Sequence, residues 1–402
     1  MKYIVIVPDG MDDRPVEALG GRTPLQAAHT ANMDFLAQNG MTGLIQTIPN
    51  GMHPSSDVGN MSLLGYDPKA CHTGRAPLEA ASLGIHLKED EIAFRCNLIT
   101  IEGEKMVDYS AGHIPTKEAS VLIDSLNTEI KLEGVKFYSG KSYRHLLLLK
   151  CPDPEIYNKI PTTAPHDILG KTIKPYLPKG PEAELLLTLM ERSKEIFLNH
   201  PVNQVRIDLK ENPANMIWLW GQGTRPHLPS FKEKFGVDGA IISAVDLVNG
   251  IGKLAGLEII HVPGATGYID TDYLGKARHA LKALKNKDFV YIHIEAPDEA
   301  GHNGDLQAKI SSIERIDKEI VGTILDHFER HDDYRLLVLP DHPTPVELRT
   351  HTADPVGFVM YGKGVHPDGS DKFHEAASKE KGLKFKSGEA LMEYFIKKNA
   401  EP

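Results

Sequence analysis

Nine short runs along the chain alternate or cluster apolar residues as β-strands do: KYIVIVP, AFRCNLITI, YRHLLLL, NMIWLWG, GAIISAV, LEIIHVP, FVYIHIE, RLLVLPD and PVGFVMYG. Several are apolar at successive positions, the pattern of a strand buried on both faces. Between them the apolar period lengthens to three or four residues. It predicts helices over PLQAAHTANMDFLAQNG, PEAELLLTLMERSKEIFLNH, DTDYLGKARHALKALKN, DLQAKISSIERIDKEIVGTILDHFERH and SGEALMEYFIKKNA. Strands alternating with helices predict an α/β protein whose mostly parallel sheet is sandwiched by helices. The regularity breaks over residues 85–237, where Pro-rich turns such as CPDPE and PTTAPHD intervene. That stretch reads as an inserted, smaller α/β domain, leaving 1–84 and 238–402 as one discontinuous domain.

Composition narrows the function. At 402 residues the chain is about two to three times the usual single-domain length, which fits two domains. Apolar residues at 41% and charged residues at 25% exclude a disordered or fibrous chain. With 45 basic against 55 acidic residues the net charge is −10, which disfavours nucleic acid or an anionic membrane as partner and favours a small molecule. No apolar stretch approaches the roughly 18 residues of a membrane span, and MKYIVIVPDGMDD turns acidic where a signal peptide stays apolar, so a soluble, cytoplasmic protein is expected. Cys71, Cys96 and Cys151 lack metal or disulfide spacing and read as packing residues.

Open α/β sheets bind ligands at the carboxyl ends of their strands. Here Asp9 follows IVIVP, Glu295 and Asp298 follow VYIHI, and Asp341 and His342 follow LLVLP. In EAPDEAGHNGD, Asp298 and His302 are four apart and meet on one face of a helical turn, with Glu299 between them. Each motif alone has an ordinary alternative: a solvated loop for EAPDEAGHNGD, a turn or cap residue for Asp9. Together with His351 in RTHTADP they supply mixed oxygen and nitrogen donors for two divalent ions, the arrangement that clamps attacking and leaving oxygens in phosphoryl displacement.

A nucleophile is offered by HPSSDVGNMSLLGYDP, where Ser55 or Ser56 stands at a predicted helix start favourable to anions. The alternative is an N-cap serine beside Asp57. Two apparent nucleotide signatures fail on context. GIGKLA at 250–255 has a strand, LEIIHV, predicted where a crossover helix should run, and GFVMYGKG has Gly364 in place of the magnesium-binding hydroxyl.

These segments, PDG, the Ser56-Asp57 turn with LLGYDP, TGRAPLEAASLG, DEAGHNGD, PDH and HTADPV, resemble the cofactor-independent (2,3-bisphosphoglycerate-independent) phosphoglycerate mutases, in detail their archaeal-type branch. The resemblance covers both ends of the chain and is looser in the middle. It implies an alkaline-phosphatase-like fold with an inserted domain, and interconversion of 3-phosphoglycerate and 2-phosphoglycerate. It further implies two divalent ions, manganese first with zinc or magnesium as alternatives: Asp298, His302 and His351 hold one, and Asp9, Ser56, Asp341 and His342 the other. Ser56 becomes the phosphorylated nucleophile and Asp57 an acid/base or steering group. For the grip on carboxylate and phosphate we look to His113, Arg144, Arg225 and Lys253, and then to Arg75, because Arg binds such anions bidentately. Asn60 is a departure, standing where that branch leads one to look for histidine. A homoserine kinase of the same family, a metal-dependent phosphatase and a metal-poor regulatory homologue are the rival readings, and the sequence leaves the oligomeric state open.

Overall fold

The computed structural model describes residues 1–328 and 333–397. The predicted helices over 305–331 and 387–400 therefore end partly outside the described residues. Strands β1 (Lys2–Pro8) and β2 (Met41–Ile45) come first; β3 (Glu91–Glu102), β4 (Lys105–Asp108), β5 (Val135–Lys141), β6 (Arg144–Lys150) and β7 (Met216–Thr224) follow. The chain continues with β8 (Gly239–Ile242), β9 (Glu258–Ile259), β10 (Phe289–Ile294), β11 (Tyr334–Val338), β12 (Val356–Gly362) and β13 (Leu383–Phe385).

The chain divides into two compact units, residues 1–72 with 227–402 and residues 73–226. The expected boundaries at 85 and 237 shift because the helix Arg75–Ser82 packs on β3 and β7, so it belongs with the second unit, whereas Phe231–Phe235 packs with the first.

The first unit holds an eight-stranded sheet in the order β13-β2-β12-β11-β1-β10-β8-β9. β1 runs parallel to β10 and β11, and β8 is parallel to β10, while β12 is antiparallel to β11 and β2. Ile4, Ile6, Ile292, Leu336 and Val338 of the central strands are fully buried, and both faces of such a sheet need helical cover. LEIIHVP contributes only the two residues of β9. GIGKLA forms the end of the helix Asp246–Leu254 and its C-cap Ala255, and a side chain on Gly252 would meet Ile241 at 2.7 Å, so Gly252 serves close helix-to-strand packing.

The long helix predicted from residue 305 is interrupted by a π-helical turn at Ile316–Val321. The turn brings buried Asp317 to the start of the helix Ala31–Asn39, where its carboxylate accepts from the Asn32 and Met33 amides at 3.2 and 2.7 Å. The second unit carries a five-stranded sheet whose pairings, β3 with β4, β6 and β7 and β5 with β6, are all antiparallel. Among the described residues no helix is long and apolar enough to cross a membrane, and the three cysteines are free thiols.

Candidate metal centre

In the first unit the strand-end acids converge. β1 ends at Pro8 and delivers Asp9; β10 ends at Ile294 and leads into the helix Ala296–Asn303, which carries Asp298 and His302 four residues apart; β11 leads to Asp341 and His342. The loops bearing these residues are fastened by Lys309, wholly buried, whose ammonium donates to Asp13 at 2.8 Å and to the carbonyls of Thr344 at 2.8 Å and Asp12 at 3.4 Å.

One donor set is Asp298, His302 and His351. The Nε2 atoms of the two histidines are 2.8 Å apart, and each is 3.3 Å from an Asp298 oxygen. The far nitrogens fix the tautomers. His302 Nδ1 faces the Arg349 carbonyl at 3.1 Å and His351 Nδ1 the Pro54 carbonyl at 3.3 Å. A carbonyl only accepts, so both protons sit on Nδ1 and two bare Nε2 lone pairs point at one another beside a carboxylate. That contact is repulsive unless a cation lies in it. In the metal-free protein the cation is a proton: its hydrogen bond to Asp298 pushes the His302 pKa up to about 9. Burial opposes the Asp298 charge, yet the His302 and His351 imidazoles beside it hold that carboxyl well below its ordinary value.

The other set is Asp9, Ser56, Asp341 and His342. His342 Nε2 lies 3.3 Å from Ser56 Oγ, 3.6 Å from Asp9 Oδ1 and 3.5 Å from Asp341 Oδ2. Such separations would suit donors that share a divalent ion with bonds of about 2.1 Å. His342 Nδ1 faces the Thr344 hydroxyl at 3.3 Å, and that hydroxyl gives its own proton to Asp298 at 2.5 Å. The imidazole therefore carries its proton on Nδ1 and leaves Nε2 bare. Asp9 is wholly buried, and its Oδ1 has no hydrogen-bond partner. Burial, then the charges of Asp341 and Asp298, push its pKa well above the carboxylate range. An orphaned carboxylate oxygen among bare imidazole nitrogens, with no hydrogen-bond donor reaching it among the described residues, fits a divalent cation. Glu295, one residue beyond β10, is raised to about 8 by burial and by the charge of Asp298, so it keeps its proton at neutral pH beside the other carboxylates.

Ser56 is the first residue of the helix Ser56–Leu63; Ser55 is the N-cap and makes no side-chain capping bond. Asp57, also buried, accepts from His72 Nε2 at 2.7 Å. Sequence reasoning passed over His72, Thr344 and His293. His293 lies within the apolar strand FVYIHIE and looks like core filler. Burial lowers its pKa to about 4, and with Ser243 Oγ 3.2 Å from Nδ1 its Nε2–H donates to Asp9 Oδ2 at 2.9 Å. It orients Asp9 and leaves Oδ1 without a hydrogen bond.

The cations expected for substrate separate. Lys253 lies in the first unit, exposed in the last turn of Asp246–Leu254. The other four lie in the second unit. Arg75 and Arg144 both act electrostatically on Arg95, a buried guanidinium that sequence reasoning missed, which pairs with Glu79 at 3.1 Å and lies 4.0 Å over the Trp220 ring. His166 packs edge-on against Trp220, and burial, then Arg95 and Arg75, hold its pKa below the ordinary value against the pull of Asp167. Arg144 lies over Tyr143, and the exposed His113 ring meets the same tyrosine. Arg225 is exposed just past the end of β7. His113 closes a left-handed run, Ala111, Gly112 and His113 at φ 48°, 67° and 50°. Two of these residues are not glycine, and such backbone persists only where its surroundings enforce it. The brace is visible: Asp108 accepts from the amides of Ser110 and Gly112, and Arg206 donates to the Ala111 carbonyl at 2.8 Å.

Residues 37–203 match the family model described as 2,3-bisphosphoglycerate-independent phosphoglycerate mutase. The chain is 50% identical over 399 residues to the protein of that name from Methanosarcina acetivorans, covering 99% of this chain and all of that one. It is 48% identical to a probable 2,3-bisphosphoglycerate-independent phosphoglycerate mutase of Geobacter sulfurreducens, covering 98% of this chain and 100% of the other. Among solved structures, the cofactor-independent phosphoglycerate mutase of Thermoplasma acidophilum superposes with a TM-score of 0.69 at 30% identity over 99% of both chains. A Pyrococcus horikoshii protein superposes with a TM-score of 0.85 at 29% identity, covering 100% of this chain and 98% of the other.

Proposed function

The chain belongs to the 2,3-bisphosphoglycerate-independent phosphoglycerate mutase family, and from that premise we propose that it interconverts 3-phosphoglycerate and 2-phosphoglycerate through a phosphoserine at Ser56. The observation that supports the covalent route is the position of the Ser56 hydroxyl, at a helix start and 3.3 Å from a bare imidazole nitrogen, within one of two converging donor sets. Asp298, His302 and His351 would hold one divalent ion; Asp9, Ser56, Asp341 and His342 would hold the other, with manganese our first choice. Such ions lower the pKa of a ligated hydroxyl and neutralise charge on the transferring phosphoryl group.

The chain's own residues do the rest. Ser56 Oγ, which enters and later leaves as the alkoxide, forms a bond to phosphorus as the bond from phosphorus to the C3 oxygen breaks, and amide N–H groups at the helix start favour the anion. The Asp57–His72 pair, next along the chain, carries the proton given to the departing C3 oxygen and takes one from the C2 hydroxyl. That oxygen then attacks phosphorus and Ser56 leaves. Atoms and protons balance within the substrate, so no bisphosphoglycerate is consumed.

Glycerate must be kept from diffusing away between the two transfers, and we assign that grip to the cations and rings of the second unit. Charge-assisted hydrogen bonds contribute roughly 1.5–3 kcal/mol each, so Arg144→Ala is expected to lower kcat/KM about 10- to 100-fold, with Arg144→Lys recovering only part. Its melting temperature should match wild type, since Arg144 is exposed. Steady-state kinetics with wild-type values would move the grip elsewhere, to Arg75 or Arg225.

Phosphorus NMR of manganese-loaded protein separates the rival chemistries. From 3-phosphoglycerate alone, 2-phosphoglycerate is expected, with inorganic phosphate a minor product. Inorganic phosphate appearing as fast as 2-phosphoglycerate would make the enzyme a phosphatase. Phosphohomoserine formed from ATP and homoserine would make it a kinase.

A further inference from the structure

One side chain in the first unit touches both the nucleophile residue and a donor of the second set. Asn60 is wholly buried, one helical turn beyond Ser56. Its amide nitrogen donates to the Ser56 carbonyl at 2.8 Å and to Asp341 Oδ2 at 2.7 Å, and its oxygen accepts from the Tyr291 hydroxyl at 2.6 Å. The orientation of the amide follows from its partners. A carbonyl and a carboxylate only accept, so nitrogen must face them, and the phenol gives its single proton to the oxygen. Tyr291 is itself buried, in the middle of β10.

The neighbouring residue makes the contact possible. A Cβ on Gly59 would fall 2.7 Å from the Asp341 carbonyl oxygen and 3.0 Å from its Cβ. A side chain there would push the helix away from Asp341 and put Asn60 out of reach. The opposite carboxylate oxygen, Oδ1, is held by the amides of Gly10 at 3.3 Å and His342 at 3.1 Å. Asp341 is thus fixed at both oxygens, and at Oδ2, the oxygen nearest His342 Nε2, the fixing group is Asn60.

We propose that Asn60, oriented by Tyr291, is a positioning residue that sets the spacing between Ser56 and Asp341 and so tunes the cation subsite they share. The proposal rests on the two-ion reading above. Were Asn60 free to turn over, its oxygen would face Asp341, and the carboxylate would swing from the direction shared with His342 and Asp9. Tyr291 prevents that turn with one hydroxyl proton. The two residues act in series, so their effects on ion binding do not add.

The test is a manganese titration of metal-free protein, read by calorimetry with electron paramagnetic resonance of the free ion. Wild type is expected to bind two ions. Tyr291→Phe and Asn60→Ala should each weaken one of the two sites about 10- to 100-fold, the range for loss of a residue that orients a ligand, and leave the other unchanged. The double variant should be no weaker than Asn60→Ala alone, and turnover lost at limiting manganese should return at saturation. If either variant fails to fold, as circular dichroism would report, the other still gives the readout. Two wild-type ions, both bound as tightly by Tyr291→Phe and by Asn60→Ala, would overturn the inference and leave the two-ion reading standing. Fewer than two ions in the wild type would overturn the two-ion reading, and this inference with it.

Discussion

Ser56→Ala should reduce turnover to background, roughly 10³-fold or more below wild type, because it removes the only nucleophile while deleting one donor among several. The structural cost should be small. Ser56 is buried at a helix start, and its hydroxyl makes one 3.3 Å contact, to His342 Nε2. Melting temperature and overall metal content should therefore stay close to wild type. Acid-quenched wild type incubated with 3-phosphoglycerate should show a phosphate mass on the peptide containing Ser56, and the variant should show none. Residual activity above about one per cent, given that general acid–base groups alone supply only about 10²- to 10⁴-fold, would mean that phosphate moves without a seryl intermediate. A phosphate mass appearing on Ser55 in the variant would move the nucleophile one residue, against the geometry that makes Ser55 the N-cap.

The part of the site legible in the sequence is the part that the sheet topology exposes. Asp9, Asp298, Asp341 and His342 lie just past the ends of apolar strands, where a charged side chain has no packing reason to be. Ser56 was legible as a hydroxyl at a helix start. What stayed hidden are groups that imitate core. His293 and Tyr291 lie within β10, every residue of which is buried, and their polar ends meet residues far off in the chain, Asp9 and Ser243 for the one and Asn60 for the other. Arg95 and Trp220 lie side by side across β3 and β7 although 125 positions separate them in the numbering, and no local pattern carries that contact. The segment LEIIHVP has the composition of a core strand yet pairs at the edge of the sheet over two residues, because only β8 lies beside it. The helix from residue 305 is interrupted at Asp317, where its periodicity gave no warning: the carboxylate is needed at the start of another helix, a demand set by tertiary structure.

Metal removal should have the second large effect, and its size should depend on pH. Two sets of converging donors bind ions only when their imidazoles are unprotonated, so a chelator should silence the enzyme, and manganese should restore it. At an ion concentration about a thousandfold above the dissociation constant each ion stabilises the fold by about 4 kcal/mol, which for a unit of this size is on the order of 10 °C in melting temperature. The sign of the pH dependence follows from the metal-free protein. His302 titrates near 9 in the fold, above the ordinary histidine value, so its contribution is fully present below about 6.5 and is lost as pH rises through about 9. Glu295, raised to about 8, and Asp9, raised well above the carboxylate range, have the same sign: the folded state keeps their protons and is weakened as those protons leave. The depressed histidines, His293 near 4 and His342, act on the acid side, where protonation favours unfolding. Between pH 6.5 and 9 the metal-free protein should therefore lose stability steadily, while the manganese form, whose ions supply the missing positive charge, should lose little. The gap between the two melting temperatures, measured by calorimetry at fixed free manganese, should widen across that window, and loading at pH 7.5 should release close to one proton from His302. A gap that narrows with rising pH would mean that the carboxylates and imidazoles gathered at these strand ends do not share a cation.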